Sequence, residues 1–123
     1  MPSRARVDEF IAAVMTNRHD DAIARFYTDD ATLQELDAEP RRGRAGHVER
    51  EVAILAAMES VVTHPPDFVA IDGDRVAIHW VFEFRRKDGK VRVVDEIAMQ
   101  RWDGDFIATE RFFYDRGAAA WKE

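Results

Sequence analysis

Hydrophobic positions change their period near the middle of the chain. Val7, Phe10, Ile11, Val14 and Met15 recur at three- and four-residue intervals and form one stripe, the mark of an amphipathic helix. Asn17-Arg18-His19-Asp20 interrupts the stripe, and Asp20 or Asp21 can cap a second, short helix carrying Ile23, Phe26 and Tyr27. Thr28-Asp29-Asp30 ends that helix. A short strand is expected over 31–36, with Leu33 and Glu35 on one face and Gln34 and Leu36 on the other. A polar loop with Pro40 and two glycines leads to a third helix, over about 45–60, whose buried stripe is Val48, Val52 and Leu55, widened by Ile54 and Met58.

From Val61 the pattern alternates. Asp72-Gly73-Asp74, Asp88-Gly89 and Asp103-Gly104-Asp105 read as hairpin turns, because glycine tolerates the positive φ that such turns require. They separate four strands over roughly 61–71, 75–86, 91–102 and 106–114. Strands this long twist and coil, so the expected antiparallel meander has a concave face. His64-Pro65-Pro66 cannot pair fully and belongs at an edge or bend. The chain therefore reads as a single α+β domain over 1–123, a cone-shaped barrel closed by about three helices from its first half.

The two-residue period sorts side chains between the concave face and the back. Ile78, Trp80, Phe82 and Phe84 form the richer apolar set of their strand and should face the helices. On the next strand Val94, Glu96, Ala98, Gln100 and Trp102 alternate with Val93, Asp95, Ile97, Met99 and Arg101. Both sets mix apolar and charged residues, so either Glu96 or Asp95 can line the interior. On the last strand Ile107, Thr109, Arg111 and Phe113 are expected inside, and Ala108, Glu110, Phe112 and Tyr114 outside. A back face carrying Val81, Ile97, Met99 and Phe112 calls for cover, and a homodimer through the outer sheet face supplies it.

Composition narrows the chemistry. The formal charge of −6, with both signs spread along the chain, argues against nucleic acid and against an anionic membrane surface. There is no cysteine, hence no disulfide, thiol nucleophile or cysteine-based zinc site. The four histidines show no metal-ligand spacing, and neither a phosphate-binding glycine loop nor a Ser-His-Asp pattern appears. No metal and no cofactor is expected. With no apolar leader and no membrane-length run, the expected location is cytoplasmic.

Two stretches carry a resemblance. Phe26-Tyr27-Thr28-Asp29-Asp30-Ala31-Thr32 followed by Glu39-Pro40-Arg41-Arg42-Gly43 resembles ketosteroid isomerases. Asp95-Glu96-Ile97-Ala98-Met99-Gln100-Arg101-Trp102-Asp103-Gly104 followed by Glu110-Arg111-Phe112-Phe113-Tyr114-Asp115 resembles SnoaL-like polyketide cyclase domains. Both belong to the nuclear transport factor 2-like superfamily, and the resemblance runs from about residue 7 to 115. It implies a conical α+β barrel, commonly dimeric, around a deep apolar pocket. It also places Glu35 where the isomerases carry their general-base Asp. Their oxyanion-hole donors fall at about Phe10 and Ala98, which donate nothing, so the resemblance does not extend to steroid isomerisation.

The resemblance and the inward faces together name the candidate site. Glu35, Glu96 and Arg111 are the expected catalytic group, similar to the Asp–Arg–Asp group of the superfamily's epoxide hydrolases. Phe10, Val14, Tyr27, Leu55, Trp80, Phe82, Ala98, Gln100, Thr109 and Phe113 are the expected lining. The expected ligand is an apolar small molecule with an oxygenated centre. An isomerase, cyclase or hydrolase working by carboxylate acid/base catalysis is one reading; a non-catalytic ligand-binding or dimerisation module is the other.

Overall fold

The computed structural model describes residues 1–123. Its elements, in chain order, are α1 (Arg4–Met15), α2 (His19–Phe26), β1 (Tyr27–Glu35), β2 (Arg41–Arg42), α3 (Arg44–Ala56), β3 (Met58–Thr63), β4 (Val69–Asp72), β5 (Arg75–Arg86), β6 (Val91–Asp103) and β7 (Phe106–Phe113). The strands form one curved, mostly antiparallel sheet in the order β2-β1-β7-β6-β5-β3, with β4 also pairing with β5. The sheet does not close on itself; the helices cover its concave face.

Ser3 caps α1 by accepting a hydrogen bond from the Arg6 backbone N–H at 3.1 Å, which satisfies one of the four unpaired donors of the first turn. Val7, Phe10 and Val14 are buried as the periodicity predicts, with Ile11 and Met15 packed beside them. The chain turns at Asn17, whose φ of 68° suits asparagine better than most residues. Phe10 meets the ring edges of Phe26, Tyr27 and Trp102 at 5.5, 6.2 and 6.1 Å, tying both helices to the sheet. The expected hairpin turns are present, with Gly73, Gly89 and Gly104 at φ of 62°, 88° and 59°.

Four expectations outside β7 need correction. Tyr27 opens β1 rather than closing α2. Strand β1 joins the sheet by running parallel to β7, which the meander reading did not include. The strand expected over 61–71 is two, β3 and β4, because Pro65 and Pro66 lack the N–H groups a ladder needs; each piece pairs with β5. Helix α3 ends at Ala56, and its only fully buried side chain is His47, while Val52 and Ile54 are 47% and 44% exposed. His47 anchors that helix through Nε2, which donates to the Ala31 carbonyl at 2.7 Å.

The largest correction concerns β7. Arg101 pairs with Thr109, but Trp102 pairs with Ile107, so Ala108 has no opposite residue. This β-bulge reverses the parity of the strand beyond it. Ile107 points inward, as expected. Past the bulge Glu110 and Phe112 face the interior, while Arg111 and Phe113 face out. Phe112 therefore leaves the back face. The outer sheet retains Val93, Met99 and Phe113, which are 46%, 39% and 42% exposed. No helix is long and apolar enough to cross a membrane.

Candidate functional site

Between the helices and the concave face lies a cavity of about 370 Å³, within the ~300–1,000 Å³ of small-molecule sites. Its walls are mostly apolar: Phe10, Val14 and Ile23 from the helices, and Trp80, Phe82, Phe84, Val94 and Phe112 from the sheet. Trp80 stacks on Phe82 with ring centres 5.4 Å apart. Trp121 reaches the cavity from the C-terminal tail, held there by two 2.8 Å hydrogen bonds between the Val91 and Lys122 backbones.

The register explains which polar groups converge. On β5 and β6, Phe82 faces Val94, Trp80 faces Glu96, Ile78 faces Ala98 and Val76 faces Gln100. Directly opposed residues share a face, so Glu96, and not Asp95, lies inside. Asp95 instead accepts from His79 Nε2 at 2.6 Å on the outer face. Past the bulge, Gln100 faces Glu110 and Ala98 faces Phe112.

Of the expected catalytic group, Glu35 and Glu96 border the cavity and Arg111 does not. Arg111 is exposed; its Nε donates to the Leu36 carbonyl at 2.8 Å and its guanidinium lies 4.7 Å from the Phe113 ring centre. Phe10, Val14, Tyr27, Trp80 and Phe82 line the cavity as expected. Leu55 does not, because α3 turns Ile54 and Glu51 toward it instead. Thr109 and Phe113 are displaced by the bulge. Ala98 and Gln100 lie on the inward face but in the packed core beneath the cavity.

Glu110 was missed, because an uninterrupted alternation places it outside. It is 3% exposed, and both its oxygens are held: the Tyr27 hydroxyl donates to Oε1 and Gln100 Nε2 donates to Oε2 at 2.6 Å. Trp102 Nε1 donates to Gln100 Oε1 at 2.9 Å and fixes the orientation of the amide. Burial pushes the Glu110 carboxyl up to about 7, against the two hydrogen bonds, which favour its charged form. The Tyr27 hydroxyl is raised in turn by burial and by Glu110.

Glu96 is 8% exposed, and its Oε2 has no hydrogen-bond partner. Burial, reinforced by Glu35 and Glu110, pushes its carboxyl well above the usual range and favours its protonated form. Arg92, two inward positions along β6, also lines the cavity and pulls the other way on Glu96. Period-two counting from Glu96 finds Arg92 directly. His19 and Glu51 complete the polar edge, with His19 Nδ1 3.6 Å from Glu51 and Nε2 2.9 Å from the Thr63 hydroxyl. Glu35 is exposed at the mouth and raises the Tyr114 hydroxyl, which burial also raises. No three His, Asp or Glu side chains are grouped so as to hold a metal ion.

A curved sheet wrapped on three helices around such a cavity is the ketosteroid isomerase-like, or nuclear transport factor 2-like, fold. A protein of that fold from Catenulispora acidiphila DSM 44928, solved in complex with trimethylamine, superimposes with a TM-score of 0.77 at 19% identity, covering 95% of this chain and 90% of that one. A SnoaL-like polyketide cyclase from Jannaschia sp. CCS1 gives 0.77 at 11% identity, over 93% and 88%. The epoxide hydrolase/cyclase-like enzyme SalBIII, with a role in pyran ring formation in the polyether salinomycin, gives 0.77 at 20% identity, over 94% and 92%. At these identities the likeness is one of fold. The chain belongs to the SnoaL-like domain family, whose model matches residues 7–110. No curated protein matches it in sequence.

Proposed function

We propose that this SnoaL-like domain is a cofactor-independent enzyme that moves a proton on a small, mostly apolar, oxygenated substrate, with Glu96 as the acid and Glu110 as the base. The observation that carries this is a pair of buried carboxyls in one aromatic cavity whose surroundings differ. Burial raises the Glu96 carboxyl well above the usual range, and no donor stabilises its charged form. Glu110 has two donors and, at about 7, is partly ionised at neutral pH. Two carboxyls set apart in this way suit opposite roles in one reaction. Isomerisation, ring closure and ring opening all need that division. In a ring closure, the substrate hydroxyl would lose its proton to Glu110 as its oxygen forms the new C–O bond. Glu96 would protonate the oxygen released from the breaking bond, and proton exchange would reset the pair. The likeness to SalBIII supports a reaction of this class.

Glu35, at the mouth, is better placed to raise its neighbours than to meet a substrate at the cavity floor. The second reading, a ligand-binding module, draws support from the hydrogen bonds that occupy Glu110 on both oxygens. Turnover separates the two. With a substrate found by screening epoxides, hydroxy-enones and unsaturated ketones, Glu96→Gln and Glu110→Gln should each reduce kcat by about a hundredfold or more. Unchanged turnover in both variants would remove Glu96 and Glu110 from the mechanism, and ligands bound without turnover by the wild type would leave the binding module. The expected homodimer rests on the exposed Val93, Met99 and Phe113 of the outer sheet, and light scattering tests it.

A further inference from the structure

Two residues that line the cavity each bury a polar atom without a partner: Nε of Arg92 and Oε2 of Glu96. Four glutamates border the same cavity, yet Arg92 forms no ion pair with any of them. A guanidinium beside several carboxyls ordinarily pairs with one. Here Arg92 instead lies with its guanidinium carbon 5.9 Å from the centre of the Trp121 ring, and its Nε is shut away from water. A guanidinium can only donate, and burial favours the protonated, donating form of the Glu96 carboxyl. The Tyr114 hydroxyl, raised by burial and by Glu35, also keeps its proton.

A ligand that satisfies this wall must bring acceptors. A cationic amine would leave both donors unmatched and would meet the guanidinium as a like charge. A hydrocarbon would leave both unmatched too. Four residues along a strand separate the two Cα atoms by about 13 Å, and the two side chains form no ion pair. The wall therefore asks for two different oxygens on one ligand. The one facing Arg92 is best matched by an anion, because a planar carboxylate complements a guanidinium fork. Trp80, Phe82, Phe84 and Phe112 supply flat apolar surface for the rest of the molecule.

We propose that the substrate is an apolar, aromatic or unsaturated carboxylic acid bearing a second oxygen, its carboxylate held by Arg92 and its second oxygen facing Glu96. This rests on the reading of the cavity as a substrate site and adds the class of substrate. Arg92 is then a specificity determinant and takes no part in moving the proton.

Binding of benzoylpropionate, its carboxamide and the corresponding amine tests the assignment without requiring turnover. Calorimetry or fluorescence of Trp80 and Trp121 reads it. The keto acid should bind at least about tenfold more tightly than the carboxamide, the increment of a charge-assisted hydrogen bond, and the amine most weakly. Arg92→Gln should erase the preference for the acid, and Arg92→Lys should keep part of it. Glu96→Gln, whose amide still donates, should leave the preference in place. In the wild type the acid should bind more weakly as rising pH ionises Glu110 and Glu96, and in Glu96→Gln only the part that follows Glu110, at about 7, should remain. Equal or tighter binding of the carboxamide or amine overturns the proposal, and so does the absence of binding by all three. The wild-type comparison decides this even if an Arg92 variant fails to fold. Preference for the carboxamide, with Glu96→Gln still inactive, would remove the carboxylate and spare the acid/base reading. Preference for the acid, with turnover unchanged in the Glu96 and Glu110 variants, would do the reverse.

Discussion

Replacing Glu110 by glutamine should change how stability responds to pH, with the sign set by the direction of its shift. In the unfolded chain this carboxyl loses its proton near 4.5; in the folded protein it does so at about 7. Between those values the native state binds more protons than the unfolded state, so ionisation favours unfolding. Glu110 thus contributes stability that is fully present below 4.5 and is lost as pH rises through about 7. At about 1.4 kcal/mol per pH unit, the whole loss is roughly 3 kcal/mol. Glutamine cannot ionise and escapes it. Below about 4.5 the protonated carboxyl, like the amide, presents a hydrogen to the same two partners, Tyr27 and Gln100. The gap in stability between Glu110→Gln and wild type should therefore shift in favour of the variant by roughly 3 kcal/mol between about pH 4.5 and about pH 8. Urea unfolding across that range, followed by tryptophan fluorescence, measures it. A gap that stays constant with pH would refute the buried, shifted carboxyl.

The other expectations follow from the same packing. Tyr27→Phe removes the donor to Glu110 Oε1, so Glu110 should titrate higher, and the acid limb of the pH–rate profile should move up with it. A limb that stays in place would separate Glu110 from the base. Trp80→Ala should cost about 3 kcal/mol or more in thermal or urea unfolding, because the side chain is 2% exposed and stacked on Phe82. A loss under about 1 kcal/mol would mean the cavity wall collapses around the gap.

Much of the scaffold was legible because its determinants are local. The Val7–Met15 stripe, the Asp-Gly turns and the alternation of Ile78, Trp80 and Phe82 each specify an element within a few residues. The misread features depend on partners distant in sequence. Parallel pairing of β1 with β7 joins residues about eighty positions apart, and no turn residue marks it. The extra residue at Ala108 is a property of two strands together, and alternation along one strand does not reveal it. That single residue exchanged Arg111 for Glu110 and Phe113 for Phe112, and so changed the chemistry read into the cavity. Helix α3 misled for another reason: Val52 and Ile54 are apolar but belong to an exposed flank and to the mouth, so the stripe marks a cavity edge rather than a core.

The central claim is that one cavity holds two carboxyls that exchange protons far from the ordinary carboxylate range. Carbon-13 NMR of protein labelled at the glutamate side-chain carboxyls tests it most directly, with Glu96→Gln and Glu110→Gln assigning the two resonances. Glu110 should titrate at about 7, and Glu96 well above the ordinary carboxylate range. Titration of both in the ordinary carboxylate range, centred at about pH 4 to 4.5, would contradict the account.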